Sequence, residues 1–168
     1  MHKLIATGLG IGYIRKGGGT VASIACCGVW YLVLLSGVWP GAAQPNAAQP
    51  GVAQPGGYWF LVPVLITSVI TAVGIWSATV VEQEWGKDSY RVVVDELAGM
   101  CLTLLFIPIT VKSLLAGLLL FRLFDIGKPL GIRKLEKLPG GWGVMLDDLL
   151  AGLYANILLR VALVLGIL

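Results

Sequence analysis

The stretch GGWGVMLDDLLAG, residues 140–152, decides how this chain is read. It sets two adjacent carboxylates, Asp147 and Asp148, at the start of an apolar run that continues to Leu168. Ionised carboxylates inside or at the edge of a bilayer are costly unless a cation or a proton meets them. The rest of the sequence is therefore read for what faces this pair.

Outward from that stretch, 57% of the residues are apolar and 12% are charged, against roughly a quarter charged in soluble domains. This is the composition of an integral membrane protein. Its 168 residues hold four or five spanning helices of about 20 residues each, and no separate soluble domain. The expected fold is all-α: one polytopic domain over 1–168, with about five membrane-embedded helices and an N-terminal glycine-rich loop. Cys26, Cys27 and Cys101 lie in apolar runs without CxxC spacing. They read as small buried hydrophobes rather than a disulfide framework or a zinc site. No small-residue cleavage site follows Met1-His2-Lys3, so the first apolar run reads as a retained anchor.

Residues 4–19 carry too many glycines for a spanning helix and read as an interfacial or re-entrant segment ending in a loop. The five helical candidates are 21–39, 58–81, 92–109, 113–124 and 144–168. Between the first two, Ala-Gln-Pro recurs at 43–45, 48–50 and 53–55. Prolines at that spacing forbid a helix, which makes 40–57 an external linker. With alternating direction, every basic residue except Lys112 and Arg160 falls on one face of the membrane. The positive-inside rule makes that face cytoplasmic, and all the acids gather at the same boundary.

Three carboxylate sites then converge. Asp95-Glu96 opens the third segment, Asp125 closes the fourth, and Asp147-Asp148 opens the fifth. Gly99 follows Asp95, and Gly152 follows Asp148, by four residues, one helical turn deeper on the same face. Small residues there let two helices approach until their acids share an ion. Oxygen donors without histidine or cysteine favour a hard cation, and magnesium suits carboxylates that also meet a phosphate. Single acids at helix starts are often only dipole partners; three sites on one face are harder to explain in that way. Beside them, Gly17-Gly18-Gly19-Thr20 opens a helix and offers backbone N–H groups and a hydroxyl to an anion. Arg122 and Lys128 add positive charge, as do Arg15, Lys16, Arg133 and Lys134.

Acids for a metal next to donors for an anion point to phosphoryl chemistry at headgroup level. Other phosphoryl routes lack their residues. His2 is the sole histidine, no cysteine has an arginine six positions on, and neither Asp-x-Asp nor GxxxxGK[ST] occurs. Metal-assisted attack of water on phosphorus remains.

The stretches VVDELAGM (93–100), FRLFDIGKPLGI (121–132) and GGWGVMLDDLLAG (140–152) resemble the signature stretches of bacterial phosphatidylglycerophosphatase A. GGGTVAS (17–23) resembles that family's N-terminal loop, with Gly18 in place of the usual proline and Ala22 in place of glycine. The resemblance covers nearly the whole chain except the Ala-Gln-Pro linker. It implies a magnesium-dependent lipid phosphatase of the bacterial cytoplasmic membrane, acting on an anionic phospholipid, with no nucleic-acid partner. By position it implies functional roles for Thr20, Asp95, Glu96, Arg122, Asp125, Lys128, Asp147 and Asp148, and for Asp88 less directly. The expected site has Asp95, Glu96, Asp125, Asp147 and Asp148 as catalytic and metal-holding residues on one or two magnesium ions. Gly19, Thr20, Arg122 and Lys128 would hold the phosphate. Two rival readings are a headgroup phosphotransferase and a small cation transporter. The former's DG-x2-AR…G-x3-D-x3-D pattern is missing, and the latter needs acids on both faces.

Overall fold

A computed structural model describes residues 1–36, 61–87 and 89–168. The expected 40–57 linker and Asp88 lie outside the described residues. Those described are helical throughout, with no strand among them. In chain order the helices are α1 (His2–Ala6), α2 (Gly18–Leu35), α3 (Leu61–Trp85), α4 (Val94–Thr103), α5 (Val111–Gly127), α6 (Ile132–Leu135) and α7 (Gly141–Val164), with a 3-10 turn at Ile11–Tyr13. Each of the five longest overlaps one of the five helical candidates, with different ends.

The segment read as interfacial or re-entrant is built from α1, the 3-10 turn and a run of left-handed residues. Gly8, Leu9, Gly10 and Gly17 all have positive φ, and Val93 N–H donates to the Ala6 carbonyl at 2.9 Å. This ties the N-terminus to the start of α4.

α2 and α3 are long and apolar enough to cross a membrane. α4 is not: its 10 residues span about 15 Å, half of a hydrocarbon core. The spanning run expected over 92–109 therefore stops at Thr103. Phe106, at φ 59°, and Pro108 turn the chain, and α5 restarts behind a capping box in which Thr110 and Ser113 each accept the other's backbone N–H.

α7 is the central element, packed against α3, α4, α5 and α6, while α2 lies on α4 and α1 on α3. Its contacts run through small residues: Ala151, Gly152 and Ala155 are fully or almost fully buried. Bulky apolar side chains point the other way. Leu32, Leu65, Val69, Leu119, Leu123 and Val164 are all exposed, giving the long helices an outward surface that suits hydrocarbon rather than water.

Candidate active site

α7 begins three residues earlier than the apolar run suggests. Gly140, at φ 61°, turns the chain, and the Gly141 N–H donates to Thr79 Oγ1 at 2.8 Å. Asp147 and Asp148 thus fall in the second helical turn rather than the first, 5% and 4% exposed. They lie beyond the orphan N–H groups of the helix start, so neither serves as a dipole partner. Asp95 and Glu96 do occupy the first turn of α4. Arg122 and Asp125 come from the last turns of α5, with Lys128 just past its end.

These elements enclose a cavity of about 250 Å³. Among the described residues, every site residue expected from the sequence lines it except Thr20, which lies one residue further along α2; Gly17, Gly18 and Gly19 line it through their backbone. A Cβ on Gly19 would fall 1.8 Å from Glu96 Oε1, so any larger residue there displaces the Glu96 carboxylate. Arg15, Ser89 and Tyr90 also line the cavity. The last two sit in an irregular loop and follow no recognisable pattern, so nothing in the sequence singled them out.

Three of the five carboxylates form a tight cluster, and the other two adjoin it. Asp95, Glu96 and Asp148 each present an oxygen within 4.8 Å of the others. Asp95 Oδ1 and Glu96 Oε2 are buried without any hydrogen-bond partner among the described residues. Buried acceptors of this kind, gathered without nitrogen or sulfur, fit a hard divalent cation such as magnesium. Asp125 and Asp147 are engaged by cations of the chain itself. Arg122 Nη1 lies 2.6 Å from Asp125 Oδ2 and 4.0 Å from Glu96 Oε1. No Nη1 N–H points along the shorter contact, so the pair is ionic rather than a directed hydrogen bond. Lys128 Nζ donates to Asp147 Oδ2 and to Glu136 Oε1, both at 2.6 Å, while Asp147 Oδ1 accepts the Asp148 N–H at 3.0 Å.

Lys128 adopts the left-handed conformation at φ 45°, unfavourable for a residue with a Cβ. Its two carboxylate partners fix it there. Burial alone would lower its pKa, but the hydrogen bonds to Asp147 and Glu136 outweigh burial and raise it above the ordinary lysine value. Lys128 is thus a permanent cation that orients Asp147, and Asp147 orients the backbone of Asp148.

Clustered carboxylate oxygens and backbone N–H groups open into one cavity of a helical chain with an apolar outer surface, an arrangement that suits phosphate-ester chemistry at a membrane. Comparison with known proteins makes the class specific: the model of the family Phosphatidylglycerophosphatase A matches residues 4–163. The chain belongs to the phosphatidylglycerophosphatase A family and is a lipid phosphatase. It is 38% identical to a Bacteroides thetaiotaomicron protein named "Putative phosphatidylinositol-3-phosphatase", over 95% of this chain and 91% of that one. It is 28% identical to phosphatidylglycerophosphatase A of Escherichia coli, over 89% of this chain and 76% of that protein. The Haemophilus influenzae enzyme of the same name is 46% identical over 42% of this chain and 44% of its own length. No solved structure matches.

Proposed function

We propose that the protein hydrolyses the terminal phosphomonoester of phosphatidylglycerophosphate, giving phosphatidylglycerol and phosphate, with magnesium held by Asp95, Glu96 and Asp148. The observation that carries this reading is the trio itself: one oxygen from each within 4.8 Å of the others, two oxygens of the trio buried without partners, and membership of a family of lipid phosphatases. When bound, the cation supplies charge neutralisation at the phosphoryl oxygens and acidifies water at the site.

The chain's own residues do the rest. The first backbone N–H groups of α2, at Gly18 and Gly19, offer donors to the phosphate oxygens. Arg122, held by Asp125, supplies a fixed positive charge against the charge that builds up as the P–O bond breaks. Lys128 holds Asp147, which in turn accepts the Asp148 N–H, and one of the lining carboxylates takes up the proton of the attacking water. The leaving group is the alcohol of the polyol headgroup, which takes up a proton as it departs. The site belongs to the cytoplasmic interface of the bacterial inner membrane. α4, α5 and α7 join α2 and α3 as membrane-embedded elements.

The name of the Bacteroides relative favours a second substrate, a phosphatidylinositol phosphate. The test is phosphate release by purified protein in detergent micelles from phosphatidylglycerophosphate, phosphatidylinositol 3-phosphate and phosphatidic acid, with magnesium and with a chelator. Magnesium-dependent release, fastest from phosphatidylglycerophosphate, supports the proposal. Preference for the inositol lipid transfers the function to the second reading, and undiminished activity in chelator overturns the cation.

A further inference from the structure

Among the described residues, three cations line the cavity: Arg15, Arg122 and Lys128. Two are already matched. Arg122 sits against Asp125, and Lys128 bridges Asp147 and Glu136. Arg15 is different. It is exposed at the cavity rim, between the 3-10 turn and the left-handed Gly17, and among the described residues it pairs with no carboxylate. A guanidinium that borders an acid-rich cavity and stays unmatched has charge available for a ligand's anion.

The proposed substrate carries two phosphorus groups. The monoester is the one cleaved, and the trio with its cation accounts for it. The other is the diester that joins the headgroup to diacylglycerol, a permanent anion separated from the monoester by the polyol. Arg122, paired with Asp125, is already assigned to the cleaved monoester, and Lys128 is held by Asp147 and Glu136, so among the described lining residues Arg15 is the cation left for the diester. A guanidinium suits it, because two parallel N–H groups match the two free oxygens of a phosphodiester.

We propose that Arg15 is a specificity-determining residue that pairs with the lipid-side phosphodiester, so that the enzyme selects monoesters carried one polyol away from a second phosphate. This rests on the function proposed above. It accounts for a feature shared by the substrates named for the family and for the Bacteroides relative: both are polyol monophosphates on a phosphodiester-linked lipid.

The experiment compares phosphatidylglycerophosphate with phosphatidic acid of the same acyl chains, which has a monoester and no diester. Both are presented to full-length protein in neutral detergent micelles with magnesium. Arg15→Ala is expected to lower kcat/KM for phosphatidylglycerophosphate by about 10- to 100-fold, the weight of a charge-assisted pair. It should change kcat/KM for phosphatidic acid by less than about twofold. Arg15→Lys should recover part of the loss, since charge survives but the paired N–H geometry does not. Lys87→Ala removes an exposed charge outside the cavity and should leave both substrates unchanged. An equal fall on both substrates, no fall on either, or a Lys87→Ala effect matching that of Arg15→Ala overturns the assignment of Arg15. Wild-type protein inactive on both lipids overturns the functional reading, and this one with it. Wild-type turnover of phosphatidylglycerophosphate with an unaffected Arg15→Ala variant sinks the present inference alone.

Discussion

Gly152 of α7 stands against the carbonyl of Gly99 of α4 so closely that a Cβ on Gly152 would lie 2.3 Å from that oxygen. A Cβ on Gly99 would in turn meet the Asp148 carbonyl at 2.7 Å and the Phe121 ring at 2.6 Å. Backbone therefore packs on backbone one turn below the acids, and this contact sets how near Asp95 and Asp148 can come. Gly152→Ala must push α7 away from α4. We expect it to destabilise the fold by about 1–3 kcal/mol, the usual range for overpacking, and to lower activity at least tenfold by spreading the trio. Thermal unfolding in detergent and phosphate release measure the two effects. A variant as active as the wild type would mean that the glycine contact does not set the acids' spacing.

The trio predicts opposite effects on stability and activity. Asp95, Glu96 and Asp148 each place an oxygen within 4.8 Å of the others, and like charges this close repel when no cation is bound, so Asp148→Asn relieves repulsion while keeping the shape. In chelator the variant should be more stable than wild type by about 1–2 kcal/mol. Magnesium should stabilise the wild type and not the variant, and the variant's phosphatase activity should fall at least 100-fold. Thermal unfolding with and without magnesium reads the crossover. Equal magnesium stabilisation of both proteins would remove Asp148 from the cation site.

Lys128 gives a pH-dependent prediction. Its folded pKa is raised above the ordinary 10.5. A raised value means that its stabilising contribution is fully present below 10.5 and is lost only as pH climbs through the higher folded value. Lys128→Met should therefore cost about 1–3 kcal/mol by an amount that stays constant from about pH 6 to about pH 9. Adding Asp147→Asn should recover part of the loss, because the carboxylate left unpaired by the first change is then gone. A penalty that fades between about pH 7 and pH 9 would contradict a pairing of this strength.

Much of this arrangement was legible in the sequence because charge is rare in the chain. Against a background of leucine, valine and alanine, Asp95-Glu96, Asp125 and Asp147-Asp148 stand out, and the four-residue step to Gly99 and Gly152 points at the helix contact that joins them. The ends of the helices were less legible. The run from Val92 to Ile109 stays apolar past Thr103, and the left-handed turn at Phe106 has no glycine to mark it. The start of α7 at Gly141 depends on Thr79, 62 residues earlier. The division of the acids into a trio and two cation-paired members was beyond sequence reasoning as well. Lys128 reaches Asp147 and Glu136 only because residues 128–131 fold through three left-handed conformations, at Lys128, Leu130 and Gly131. Short-range patterns show which residues carry charge, and tertiary turns decide which charge each one meets.

The shortness of α4 leads to the last prediction. A helix that stops after 10 residues leaves its final carbonyls without intrahelical donors, and in apolar surroundings each would cost several kcal/mol. α7 supplies the donors. Asn156 Nδ2 lies 3.2 Å from the Leu102 carbonyl and 2.9 Å from those of Thr103 and Leu105, so its two N–H groups are shared among three acceptors. Arg160 Nη2 adds a bond to Leu105 at 3.0 Å, and Arg160 Nε holds Asn156 Oδ1 at 2.8 Å. The end of α4 remote from the acids is thus clamped by the same helix that carries Asp148. Asn156→Leu keeps the volume and removes the donors, and should destabilise the protein by about 2–4 kcal/mol. Backbone amides after the break, from Leu104 to Ile107, should lose protection from hydrogen exchange before those of α7 do. Arg160→Ala should cost less, because Asn156 still serves the Leu105 carbonyl in its absence. If Asn156→Leu unfolds at the wild-type temperature with unchanged exchange at 104–107, the clamp is dispensable and α4 is held by its glycine contact alone.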